Sequence, residues 1–473
     1  MSKDIVETVE NFGPFEHAGI KLKPLTILIG RNSVGKSMLM RLLWALASTP
    51  VTLPAHFLFL PEELDKRLGE VKSRIVDNVV KGLGLSTDDV HTLIKLYMET
   101  FQELLVQSLK GRIQGVFGSS LEELIRVGVG MSRISISGPC GPTTIVIKGN
   151  DVEFESLNLC LDDLLVRMVV EVPAPGILGL KYEGVSVARS VRTFYDLVSL
   201  INEFMSRYLG TLLYTKGFYI GSGWPDGVFL SDSRAGVVRL TIPPSPMPYP
   251  RLTSLFGPHL TLDEEFVNAM LRIAQVFGES RLVEALELAE DFLEELGCEL
   301  EFKPIGGVYA VYVRTWSGKE LPLPLAPSGV RESIATVLAL TLIDPSMVFI
   351  EEPEAHLHPR AVTRLARLIG VAVRYKGMII VSTHSDHLLV ALNNLIALSK
   401  VKGGAERPGF RGVEAINPAM VAAYLVVAED RRAVVRELRV EDTGIPEDEF
   451  AKVTEELLEE RSRIYDELQG AQL

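Results

Sequence analysis

The 473-residue chain is poor in cysteine. It has only Cys140, Cys160 and Cys298, and none stand at the short spacing that a zinc or iron-sulfur site uses. All three are expected to be reduced, packed thiols. Long apolar runs are missing too. No stretch approaches the roughly 18 apolar residues of a membrane-spanning helix, and Asp4, Glu7, Glu10 and Glu16 occupy the place of a secretion signal's apolar core. A cytoplasmic protein with no membrane partner is therefore expected. Positive charge is in deficit, with 48 Lys and Arg against 61 Asp and Glu for a formal charge of −13. That balance opposes a nucleic-acid footprint spread over the whole surface and leaves only a local basic groove. Glutamine occurs just six times, a scarcity of thermolabile amides that points weakly to a thermophilic source.

What remains is an ordinary globular composition, 47% apolar and 23% charged, which is enough to bury a full core. At about 150 residues per domain, the length suggests about three compact units or one composite domain with insertions. The apolar run Leu25 to Ile29, then Gly30, then Met38, Leu39, Leu42, Leu43 and Leu46 at helical spacing, reads as strand, turn, helix. Pro50 and Pro54 close that unit. Ser86 and Asp89 form a capping-box pattern ahead of a stripe of Val90, Ile94, Tyr97, Phe101, Leu105 and Leu109 that runs to Gly111. From Ser132 the period changes to two, and Ile134 and Ile136 answer Ile145 and Ile147 across Gly138 to Pro142, a hairpin.

Between Asp151 and Pro258 short strands mix with turns and one amphipathic helix near Phe194 to Met205. Two helices are expected from Thr261 to Leu296, one ending near Gly278 and one near Gly297, followed by strands Leu300 to Phe302 and Val308 to Arg314. Helix Val330 to Leu342, strand Met347 to Ile350, helix Arg360 to Arg374, strand Met378 to Ser382 and helix Asp386 to Asn394 then alternate, the pattern of a parallel sheet covered by helices. The tail ends in an acidic helix with Phe450, Val453, Leu457, Ile464 and Leu468 on one side. That side is read as packing on the core, with pairing to a partner as the alternative.

Gly30-Arg31-Asn32-Ser33-Val34-Gly35-Lys36-Ser37 fits G-x-x-x-x-G-K-[ST] between a strand and a helix. The glycines let backbone N–H groups and the helix N-terminus face a nucleotide's phosphates. Lys36 reaches the β/γ oxygens and Ser37 ligates Mg²⁺. Such a loop also needs a carboxylate at the end of a neighbouring strand and a group that activates water. In Met347 to Pro353, Glu351 stands at the metal position and Glu352 at that of the general base. Ser328-Gly329 opens a helix after a proline-rich loop, a second place where an anion could meet free N–H groups.

These motifs, in this order, resemble the ABC-type ATPases of the SMC, RecF and OLD group. Asn32 stands at that family's usual asparagine, and Ser328-Gly329 is similar to its signature motif. Glu351-Glu352-Pro353-Glu354-Ala355-His356-Leu357-His358-Pro359 resembles its Walker B and D-loop, with Glu351 where many relatives have Asp. Ser382-Thr383-His384-Ser385 resembles its switch-histidine loop. No glutamine is assigned to the family's Q-loop.

The resemblance implies an α/β P-loop NTPase fold, an ABC-type two-lobed head of mixed sheet, helices and antiparallel strands with a large helical and strand insertion. It places the ATPase core at 1–55 and 300–400, the insertion at 56–299 and a C-terminal segment at 401–473. It also implies a nucleotide sandwich: ATP and Mg²⁺ lie on one subunit's loop, closed by the other subunit's Ser328 and Gly329, with His384 on the γ-phosphate. The partner is then a second copy of the chain upon ATP binding, with an effector protein and DNA left open. Too little sequence follows His384 for a Toprim nuclease unit, and a long coiled coil is absent. An ATP-gated dimeric switch in DNA maintenance, repair or defence is the expected function. A nucleotide-gated sensing module with very slow hydrolysis is the alternative. Ser231-Asp232-Ser233-Arg234-Ala235-Gly236 resembles a short arginine-bearing segment of these ATPases, or is a surface turn with a salt-bridged Arg.

Overall fold

The computed structural model describes residues 5–49, 73–83, 87–138, 141–158, 160–216, 227–232, 234–241, 283–305, 308–342, 347–401 and 411–470, with positions 69, 262 and 266. Two compact units interleave along the chain. One comprises 1–22, 41–225 and 257–261, and the other 23–40, 226–256 and 262–473.

The second unit carries the motifs. Strands Gly227–Leu230, Met347–Glu351, Met378–Thr383, Leu25–Ile29 and Val421–Glu429 lie side by side in that order, all parallel, and Arg432–Leu438 turns back antiparallel on the last. Every residue of Leu25–Ile29, Met347–Glu351 and Met378–Thr383 is buried, which is why these segments are continuous apolar runs rather than alternating ones. Helices Ser328–Thr341, Pro359–Ala372 and Asp386–Leu398 supply much of the core around them. The sheet thus takes in Gly227–Leu230 and Val421–Glu429, segments that lie within 56–299 and 401–473. A smaller antiparallel sheet, Cys298–Ile305, Val308–Thr315 and Glu320–Pro322, precedes the signature helix.

The first unit is antiparallel. Phe15–Leu22, Ile5–Phe12, Met131–Gly138, Gly141–Lys148 and Asp151–Ser156 lie side by side in that order, each antiparallel to the next, and Val169–Ala174, Ile177–Tyr182 and Val185–Ser190 form a second sheet. The expected hairpin is present with Ile134 opposite Ile145, although Ile136 faces Thr143 and Ile147 faces Ser132. The long helix Thr87–Phe117 buries Val90, Ile94, Phe101, Leu105 and Leu109 as its stripe requires. It also runs past Gly111. Ser86, Pro50, Pro54, Gly278 and the side chain of Tyr97 lie outside the described residues. Helix Phe194–Lys216 is about three turns longer than its amphipathic signal, and Val283–Glu295 ends before Gly297, whose φ of +66° is the left-handed conformation of a helix C-cap.

Two expectations are corrected. Cys160 is disulfide-bonded, whereas Cys298 is a free, buried thiol. Sequence spacing bears on metal binding, but a disulfide depends on distances set only by the folded chain. The C-terminal helix Asp448–Gly470 packs Phe450 against the core; beyond it Val453, Leu457, Ile464 and Leu468 are all about half exposed, between 48% and 60%. Among the described residues no helix is long and apolar enough to cross a membrane.

Candidate functional site

Parallel pairing of Glu351 with Ser382, and of Ser382 and Thr383 with Leu28 and Ile29, brings three strand ends to one edge of the sheet. The loops that leave them hold the three motifs. This is the usual place for a ligand in an open parallel sheet, because strand ends and helix N-termini meet there.

Only glycine fits the start of the phosphate loop. At Gly30, φ is +151° and an added Cβ would lie 2.2 Å from the backbone oxygen of Val426 on the adjacent strand. Ser33 and Gly35 also take positive φ, 62° and 103°, so the loop curls with its amide groups inward, the concavity that binds anions. Val34 is buried and anchors the loop, while the side chains of Asn32, Ser33 and Ser37 face solvent. Helix Lys36–Ala47 starts at the lysine itself, so the unpaired N–H groups of its first turn complete the concavity.

Lys36 is 5% exposed, and its Nζ donates to the carbonyls of Gly30 (2.9 Å) and Arg31 (2.8 Å). Burial pushes its pKa down to about 8, against the opposing pull of Glu352, Glu354 and Glu351. The same Nζ lies 3.1 Å from His384 Nε2, and that nitrogen lies 3.1 Å from Glu352 Oε1. One ring nitrogen cannot donate to Glu352 and accept from Lys36 at once, so the proton on His384 selects between the two contacts.

Glu351 ends its strand with 1% exposure, and its Oε2 accepts from the Asp232 N–H at 3.4 Å. Glu352 leaves the strand at φ +44°, a conformation that L-residues avoid, and its N–H still donates to Ser382 O at 2.9 Å. The turn aims a partly exposed carboxylate at the loop side of the sheet edge. Glu354, two residues on, was not singled out by the sequence. Its Oε1 accepts from Thr383 Oγ1 (2.6 Å) and from the His384 N–H (2.9 Å), so it clamps the histidine's backbone; burial raises its pKa and these bonds lower it. The acid was visible in the motif, but its partners were not, because they lie on a neighbouring strand.

Ser328 and Gly329 begin helix Ser328–Thr341 behind Pro327, with both residues exposed or nearly so. They do not join the Lys36, Glu352 and His384 cluster in this subunit's bonding. A Cβ on Gly329 would stand 2.8 Å from His356 O, so the signature turn and the D-loop meet backbone to backbone.

Arg234 is no surface turn. Fully buried, it donates to five main-chain oxygens: Leu230 (3.2 Å), Ser231 (2.7 Å), Glu351 (2.6 Å), Glu352 (3.1 Å) and Glu332 (3.1 Å). Its charge faces the carboxylate of Glu332 at 3.5 Å, which also accepts from the Ala235 N–H at 2.5 Å. Burial raises the Glu332 carboxyl, and the guanidinium followed by that N–H pull it back down.

Residues 7–100 match the family described as AAA ATPase domain, and residues 225–391 that described as AAA domain, putative AbiEii toxin, Type IV TA system. The chain is 34% identical over 107 residues to the DNA double-strand break repair Rad50 ATPase of Sulfurisphaera tokodaii, a match that covers 22% of this chain and 12% of the relative. Solved structures that resemble it include the SMC head domain from Thermotoga maritima (11% identity, 93% of this chain and 100% of that one, TM-score 0.37). The SMC head bound to the C-terminal winged-helix domain of ScpA is another (13% identity, 93% and 99%, TM-score 0.39). With the Gly30–Ser37 loop, the paired acids and His384 at one sheet edge, and with two segments matched to ATPase families, the chain is similar to P-loop ATPases of the SMC/Rad50 type, and it spans about an eighth of the length of the Rad50 relative it matches.

Proposed function

We propose that the chain binds Mg-ATP on residues 30–37, closes on it as a homodimer through Ser328 and Gly329 of the second copy, and reopens when the γ-phosphate is hydrolysed. The observation that carries this reading is the convergence of Lys36, His384 and Glu352 at 3.1 Å contacts beside a loop curled for an anion. Backbone N–H groups and Lys36 hold the β- and γ-phosphates; to do so Lys36 exchanges its loop carbonyls for phosphate oxygens. The Ser37 hydroxyl and the Glu351 carboxylate are hard oxygen donors of the kind Mg²⁺ takes, and they would hold it. When bound, the ion supplies charge neutralisation on the phosphates. Glu352 takes the proton of the attacking water, and His384 contacts the γ-phosphate while Glu354 fixes its backbone.

Neither anion site alone neutralises a triphosphate, so joining two helix N-termini across a dimer makes closure depend on ATP. The dimer so gated is proposed to control an effector or to engage DNA, in maintenance, repair or defence. With a charge of −13, any DNA contact is confined to a local groove and weakens as salt rises.

The test is the solution mass and turnover of Glu352→Gln. With Mg-ATP it is expected to move from the mass of one chain to that of two, while hydrolysis falls about 10²- to 10⁴-fold, the usual worth of a general base. Unchanged turnover removes Glu352 from the chemistry. Very slow turnover in the wild type, with the mass change intact, favours the sensing module, for which the Glu352–His384 contact speaks by engaging one oxygen of the base.

A further inference from the structure

Arg234 lies outside the nucleotide chemistry, yet it is fully buried and binds five main-chain oxygens. Its five acceptors come from three segments: the end of strand Gly227–Leu230 with Ser231, the two acids that follow Met347 to Ile350, and the second turn of helix Ser328–Thr341. A buried guanidinium carries a desolvation cost of several kcal/mol that an apolar side chain would avoid; Glu332 meets its charge at 3.5 Å, with Glu351, Asp232 and Glu354 acting from further off. Filling space does not call for this arrangement. Holding main-chain atoms of separate segments in fixed relation does.

We infer that Arg234, acting with Glu332, couples the two nucleotide sites of the dimer. The inference rests on the sandwich reading above. In that arrangement Glu351 and Glu352 act on the nucleotide of their own subunit, whereas Ser328 and Gly329 act on the nucleotide of the partner. The guanidinium binds the carbonyls of both acids and, through Glu332 one turn into the helix, the element that presents Ser328. Glu352 occupies a strained φ of +44°, and Arg234 ties its oxygen to the helix that presents Ser328, so the guanidinium fixes the signature turn relative to the two acids whatever nucleotide its own loop holds. Loss of that tie is felt at the partner's nucleotide through Ser328 and Gly329. The backbone approach of Gly329 to His356 keeps turn and D-loop in step. Arg234 is thus a positioning residue, and its effect appears in the site to which it does not belong.

The experiment is a mixed dimer of full-length chains, with one subunit carrying Lys36→Ala in excess over wild type. Only the wild-type loop then turns over ATP, served by the signature motif of the Lys36→Ala subunit. Adding Arg234→Lys to the Lys36→Ala subunit, which keeps the charge but loses the fork, is expected to lower turnover at the wild-type site about fivefold or more, the lower range of intersite coupling. Dimer mass is expected to stay as before, while the melting temperature of that subunit falls but stays above the assay temperature, because a buried pair is weakened. Glu332→Gln in place of Arg234→Lys is expected to act in the same direction, which guards against a folding failure at Arg234. Unchanged turnover with either variant overturns the coupling. A separate control, Ser328→Arg in the Lys36→Ala subunit, must abolish turnover; if it does not, the sandwich fails and the two failures are told apart.

Discussion

At the residue scale, the chemistry turns on where one lysine keeps its proton. Lys36 is buried against its own loop with a pKa near 8, so above that pH the free protein holds it mostly neutral. A bound polyphosphate favours the charged form, and the sign follows: binding ATP takes up a proton, and affinity falls as pH rises through about 8. Calorimetry at pH 8.5 in two buffers of different ionisation enthalpy is expected to show this uptake, and Lys36→Arg to abolish it, since arginine stays charged. Equal heats in the two buffers for the wild type would remove Lys36 from the phosphate site. The lysine, both acids and His384 were legible because each belongs to a short motif. Arg234, Glu332 and Glu354 were harder to read. Their partners are main-chain oxygens or residues brought near by strand pairing, and a single sequence does not record which carbonyl a buried side chain will meet.

At the element scale, strand Ile5–Phe12 carries a buried acid, Glu7, between Ile20 and Ile136 on the neighbouring strands. Neither carboxylate oxygen has a hydrogen-bond partner among the described residues, and burial pushes its pKa up to about 8. A carboxyl raised in the fold stabilises it only while protonated. The contribution is whole below about 4.5 and is lost as pH rises through about 8, at about 1.4 kcal/mol per pH unit between the two. Glu7→Gln is therefore expected to raise the melting temperature at pH 8.5 and to leave it level or slightly lower at pH 4.5; a shift independent of pH would refute this.

Element types were legible in the motif-bearing segments, where periods of two and 3.6 and the run of buried strands follow from which faces meet the core, but the strands Val421–Glu429 and Arg432–Leu438 and the short helix Leu161–Arg167 were not expected. Ends were less so. Gly111 does not stop its helix, because burial of Ile113 and Val116 outweighs the roughly 1 kcal/mol that glycine costs there. The stripe on Asp448–Gly470 shows the reverse, an amphipathic pattern that predicts a helix but does not say what covers it.

At the scale of the whole molecule, the proposed closure leaves the site half built until a second copy supplies Ser328 and Gly329. Ser328→Arg places a bulky charge where the partner's nucleotide would sit, so ATP is expected to leave that variant at 52.1 kDa in solution while monomer affinity for ATP is kept. A doubled mass by light scattering would refute closure through the signature helix. By itself the sequence determined the phosphate loop, the acid pair, the histidine and the α/β alternation, because each depends on neighbours a few residues away and on the identity of side chains. Only the tertiary structure decided that Gly227–Leu230 and Val421–Glu429 join the sheet of the phosphate loop, that Cys160 is oxidised, and that Arg234 is buried beneath the acids. Those outcomes depend on contacts between residues far apart in the chain, where distance and burial rather than local pattern set the energy.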